Sequence, residues 1–152
     1  GFALNDVMTD AYVGVLPVID DYPSATMTLT AQPDQITEGQ SIDLRLELGA
    51  PIGFDMGATG TIIDNPHGEA PVRLRDLPLA WRQANGVAKL KGSTPLSQTG
   101  IYIGLWVPVG ETSTTASLPT LKDTVAEGTR MITFELTMDN GEMITKSITV
   151  TD

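Results

Sequence analysis

Two stretches of this chain alternate apolar and polar residues with a strict period of two, and each follows an acidic-glycine turn. In Ser41–Leu48, the residues Ile42, Leu44, Leu46 and Leu48 interleave with Asp43, Arg45 and Glu47. In Arg130–Met138, the residues Ile132, Phe134 and Leu136 interleave with Thr133, Glu135 and Thr137. A helix repeats its faces every 3.6 residues and cannot gather such positions on one side, so both runs read as strands with one buried face. The turns before them are Ile36-Thr37-Glu38-Gly39 and Asp123-Thr124-Val125-Ala126-Glu127-Gly128. A carboxylate beside a glycine at a strand mouth suits a hard cation, since glycine permits the tight backbone and the carboxylate supplies oxygen ligands. It also suits an ordinary turn.

The second run leads into Met138-Asp139-Asn140-Gly141, and residues 142–150 are β-patterned again. Asn-Gly supplies the backbone freedom of a hairpin turn, so 130–138 and 142–150 pair as an antiparallel hairpin. Further strands are expected at residues 26–30, 61–63, 101–107 and 112–118, and residues 11–19 read as an edge strand interrupted by Pro17. Residues 50–60 are glycine-rich and read as loop, 72–79 are apolar but interrupted by Pro78, and 79–90 have weak helical character anchored by Trp81. Seven or so short strands with long connections specify an all-β, antiparallel immunoglobulin-like β-sandwich with a long inserted loop region at 51–106.

Composition excludes several functions. A net charge of −10 opposes nucleic acid and anionic membrane surfaces and favours cations. The chain has no cysteine, which removes disulfides, thiolate zinc sites and cysteine nucleophiles. No apolar stretch approaches the roughly 20 residues of a membrane span. Catalysis finds little support: His67 is the sole histidine and sits in a Pro-His-Gly turn, flanked by Asp64 and Glu69. The serines lack a nucleophile elbow.

Four landmarks in order, Ile36-Thr37-Glu38-Gly39-Gln40, Val109-Gly110-Glu111-Thr112-Ser113, Leu118-Pro119-Thr120-Leu121-Lys122-Asp123-Thr124-Val125-Ala126-Glu127-Gly128 and Ile132-Thr133-Phe134-Glu135-Leu136, resemble those of Calx-beta domains. These are calcium-binding immunoglobulin-like sandwiches of exchangers, integrin subunits and tandem bacterial surface proteins and adhesins. The resemblance spans residues 24–50 and 107–152, about half of the chain.

The resemblance implies a non-catalytic structural or adhesive repeat of a larger extracellular or cell-surface protein, with Ca2+ stiffening the joints between repeats. Its partners would be neighbouring repeats of the same polypeptide or neighbouring subunits. The domain would occupy residues 22–152, with 1–21 as an N-terminal extension, the last strand of a preceding repeat plus linker, or a donor strand for a neighbouring subunit in a filament. The implied calcium ligands are Glu38, Asp123, Glu127 and Asp152, with Asp55 as a looser addition. Lys122 stands where the family usually has the first of two aspartates, and Arg130 where it often has another acid. A cation at either position replaces calcium electrostatically by pairing with Glu38 or Glu127. Separately, Tyr102 and Trp106 share one face of their strand and are candidates for stacking on a glycan or peptide ligand, with the 51–106 loops as the recognition region.

Overall fold

The computed structural model describes residues 26–53 and 55–152. The expected strand at 11–19, the N-terminal extension at 1–21 and the domain boundary at 21/22 lie outside the described residues. The rest form two packed β-sheets of an immunoglobulin-like sandwich. One sheet has the order β1-β3-β6 and the other β2-β8-β7-β4-β5. The strands are β1 (Met27–Gln32), β2 (Gln35–Thr37), β3 (Ser41–Leu48), β4 (Met56–Ile63), β5 (Tyr102–Val107), β6 (Ser113–Pro119), β7 (Arg130–Met138) and β8 (Met143–Thr151).

Alternation set the faces as expected. In β3 the four apolar residues are buried and the four between them exposed. Ile132, Phe134 and Leu136 of β7 oppose them in the core, with Phe134 only 1% exposed. Each such aliphatic or aromatic side chain removed from water contributes roughly 1.5–3 kcal/mol. The β7–β8 hairpin runs in the register Thr137↔Met143 to Arg130↔Val150, with Gly141 at φ 92° in its turn. All pairs are antiparallel except β2 with β8, which is parallel.

The sequence reading needs one correction: residues 56–60, taken as loop, form most of β4. Their glycines answer to packing rather than to a turn. A Cβ on Gly60 would lie 1.9 Å from the Glu135 carbonyl oxygen, and one on Gly57 would lie 2.2 Å from the Trp106 ring. With β4 and β5 assigned, the insertion shrinks to the connection between them. It contains a 3-10 turn at Leu74–Asp76, helix α1 (Leu79–Ala84) and a second 3-10 turn at Leu96–Gln98. Val72, Leu74, Leu77, Val87 and Leu96 from this connection are buried in the main core, so the insertion is part of the sandwich rather than a free loop. Among the described residues no helix is long and apolar enough to cross a membrane.

The strand directions define two poles. The starts of β1, β4 and β8 and the ends of β3, β5 and β7 gather at the Met27 pole. The ends of β2, β6 and β8 and the starts of β3 and β7 gather at the opposite one, the Asp152 pole.

Candidate functional site

The Asp152 pole collects carboxylates from four separate segments. Glu38 follows β2, where its N–H donates to the Thr151 carbonyl at 2.8 Å and ties the turn to β8. Gly39 carries a φ of 95°, and its N–H donates to Thr120 Oγ1 at 3.0 Å. The turn is thereby fixed with the Glu38 side chain pointing inward, only 3% exposed. Asp76 ends the first 3-10 turn. Its Oδ2 accepts the Arg73 N–H at 2.8 Å, and its carbonyl accepts the Leu121 N–H at 2.7 Å, which draws the 122–128 loop over it. Glu127 and Asp123 lie on that loop, and Asp152 follows β8.

At the centre stands Arg130, the first residue of β7, with a side chain 3% exposed. Its Nη2 donates to Glu38 Oε2 and to Asp152 Oδ1 at 3.2 Å. Its Nη1 donates to Glu127 Oε1 at 3.3 Å, and Nε donates to the Gly128 carbonyl at 3.3 Å. Asp76 Oδ1 pairs with Nη1 at 2.7 Å. A planar guanidinium with five fixed donors suits such a ring of acceptors, where a lysine ammonium would reach fewer of them.

Negative charge remains in excess. Arg75 Nε adds only a 3.8 Å contact to Glu127, from a half-exposed side chain. Burial, and next the Asp76 charge, raise the pKa of Glu127 above its ordinary value, against the pull of Arg130. Asp152 moves the other way, lowered first by the Gly128 N–H, which it accepts at 2.7 Å, and also by the Glu127 N–H and Arg130. For Arg130, burial acts to lower the pKa, but Glu38, Asp76 and Glu127 outweigh it and the net direction is upward.

Glu38, Asp76, Asp123 and Glu127 each offer one carboxylate oxygen within 4.8 Å of the others. That span is about twice a calcium–oxygen distance, so donor chemistry and spacing match a hard cation and the buried acidic cluster can hold a metal. The guanidinium, however, already bonds Glu38 and Glu127 and contacts Asp76. A divalent ion centred among the same oxygens does not fit while Arg130 holds them.

Of the expected ligands, the structure brings together Glu38, Asp123, Glu127 and Asp152. Asp123 takes no part in the Arg130 contacts. Its N–H approaches Glu38 Oε1 at 3.4 Å, and its Oδ1 accepts the Val125 N–H at 2.9 Å. Asp55 is not with them. It precedes β4 at the Met27 pole and accepts the Val109 N–H at 3.1 Å, because β4 runs toward the Asp152 pole and its first residues lie at the far end.

Asp76 was missed. The signal was present: Asp76 continues the phase of buried Val72 and Leu74, an acid where the pattern calls for an apolar side chain. Arg130 likewise keeps the inward phase of Ile132, Phe134 and Leu136.

Tyr102 and Trp106 lie on the outer face of β5, 69% and 53% exposed. Trp106 pairs across with Gly57 and its ring lies on that glycine. His67 is exposed, and its backbone N–H donates to Glu69 Oε1 at 3.0 Å, while Asp64 accepts the Ser97 hydroxyl at 2.6 Å. Neither neighbouring acid bonds the imidazole.

No family model matches the chain, and no curated protein matches it. Among solved structures it is similar to the crystal structure of the apo-form Calx CBD1 domain, at a TM-score of 0.45 and 10% sequence identity, covering 83% of this chain and 96% of that one.

Proposed function

We propose that this chain is a non-catalytic structural or adhesive repeat of an extracellular or cell-surface protein, whose Asp152 pole is locked by Arg130 in the role of an internal counter-cation. The observation that carries this reading is the buried guanidinium bonded to acids from the β2 turn, the 122–128 loop and the residue after β8. Clamping Asp152 to Glu127, Gly128 and Arg130 removes hinge freedom where the last strand leaves, and does so without metal.

The test is thermal unfolding of the protein with millimolar Ca2+, with Mg2+ and with excess chelator. Equal midpoints support the guanidinium lock. A calcium-specific rise, lost in a Glu38→Gln, Glu127→Gln double variant, would replace it with a metal-stabilised joint of the kind the sequence resemblance implies.

A second reading rests on Trp106. A tryptophan laid on Gly57 with half its surface open, four residues from exposed Tyr102, forms a flat aromatic platform suited to stacking on a neutral glycan or an extended peptide. Binding on a glycan or peptide array that disappears in Trp106→Ala, with the unfolding midpoint unchanged, supports it. An array without hits leaves the structural reading alone.

A further inference from the structure

Among the described residues β1 is the outermost strand of its sheet. The Gly49 N–H donates to the Thr26 carbonyl, whereas Leu48 turns the other way and donates to the Thr112 carbonyl. Antiparallel bonding alternates along a strand, so Thr28 and Thr30 aim their backbone groups at β3, and Met27, Leu29 and Ala31 aim theirs outward. The side chains of these same three residues face the other sheet. Met27 and Ala31 are buried, but Leu29 between them stays half-buried. It borders a groove of about 290 Å³ shared with Ala31, Leu44, Leu136 and Ile144. The Lys146–Asp34 ion pair, at 2.6 Å, flanks this groove. Among the described residues three strands thus face five, and they leave the side of the sandwich between β1 and β8 open.

An unpaired edge beside an apolar groove accepts a strand. We propose that residues 11–19 of the same chain dock there, antiparallel to β1, and complete the smaller sheet as a fourth strand. The intervening residues, Asp20-Asp21-Tyr22-Pro23-Ser24-Ala25, have the length and composition of a hairpin connection, so closure costs little. Pro17 fixes the parity. It has no N–H to donate and must turn its backbone away from β1. Leu16 and Val18 then bond to β1 opposite its outward-facing residues and share their side-chain direction, which places both in the groove. Val13 and Val15 fall on the outer face beside Thr28 and Thr30.

The absence of cysteine makes disulfide trapping clean. In the full chain, Val15→Cys is combined with Thr28→Cys or with Thr30→Cys, of which the register sets one directly opposite it in a non-hydrogen-bonded position, where Cα atoms approach to about 4.5 Å. An intramolecular disulfide, read as the loss of two hydrogens from a monomer of intact mass, is the expected result. A disulfide-linked dimer would overturn docking within the chain and assign the groove to the segment of a second copy. No disulfide in either pair would overturn the docking altogether. The parity is tested separately: Leu16→Asp lowers the unfolding midpoint by several degrees and Val15→Asp leaves it in place. The reverse order, or no effect of Leu16→Asp, contradicts the arrangement.

Discussion

Replacing Arg130 with methionine keeps most of the side-chain volume and deletes the one buried cation that the described residues place at the Asp152 pole. Glu38 and Asp76, each 3% exposed, then lose their counter-charge and most of their access to a proton donor. Breaking a buried ion pair from one side costs about 3–5 kcal/mol, because the abandoned charge remains desolvated. A folded unit of about 125 residues unfolds with an entropy near 0.26 kcal/mol/K, so each kcal/mol moves the midpoint about 4 °C. The expected loss is therefore about 10–20 °C at pH 7, read by calorimetry or circular dichroism. The deficit should shrink toward pH 4, since Glu127, whose pKa burial and the Asp76 charge already raise, takes up a proton as the pH falls and relieves part of the uncompensated charge. The emptied cluster should also become responsive to calcium. At ten times a millimolar Kd the gain is about 1.4 kcal/mol, or about 5 °C. A loss below about 3 °C would refute the view that Arg130 holds this pole together. An undiminished loss at pH 4 would refute the electrostatic account of it.

Glu127→Gln should leave the midpoint at pH 7 unchanged or higher, because the raised pKa of Glu127 marks its charged form as unfavourable in the fold. The wild-type chain should catch up as the pH drops through that raised value, and a clear loss at pH 7 would contradict this. Asp152 has the opposite sign: with its pKa lowered, it contributes above the ordinary carboxylate range and loses that contribution as the pH falls through its folded value, so Asp152→Asn should destabilise at pH 7 and converge with wild type in acid. Gly60→Ala, which would place a Cβ against the Glu135 carbonyl oxygen, should cost about 3 kcal/mol by urea titration, an overpacking penalty at the upper end of the usual range. Asp55→Asn, at the opposite pole, should leave both the midpoint and any calcium response unaltered.

The alternating runs were legible because strand periodicity is a local property. Which side of Ile42 or Phe134 is buried follows from the pleat, whatever sheet the strand joins. The same locality made β4 illegible. Gly57 and Gly60 read as loop residues, and only the neighbouring strands reveal that a Trp106 ring and a Glu135 carbonyl occupy the space where side chains would stand. For the acidic pole, the sequence supplied Glu38, Asp123, Glu127 and Asp152, along with a basic Arg130 among them.

By itself, then, the sequence determined the layered all-β class, the faces of its principal strands and an acidic character at the turns before β3 and β7. Tertiary structure decided which acids meet. It brought Asp76 in from the insertion, sent Asp55 to the far pole and set Arg130 among the carboxylates. The physical reason is range. A strand's face is fixed by neighbours two residues away, whereas a buried charge is tolerated only where partners from distant segments converge on it, and that convergence exists only once the sheets have packed.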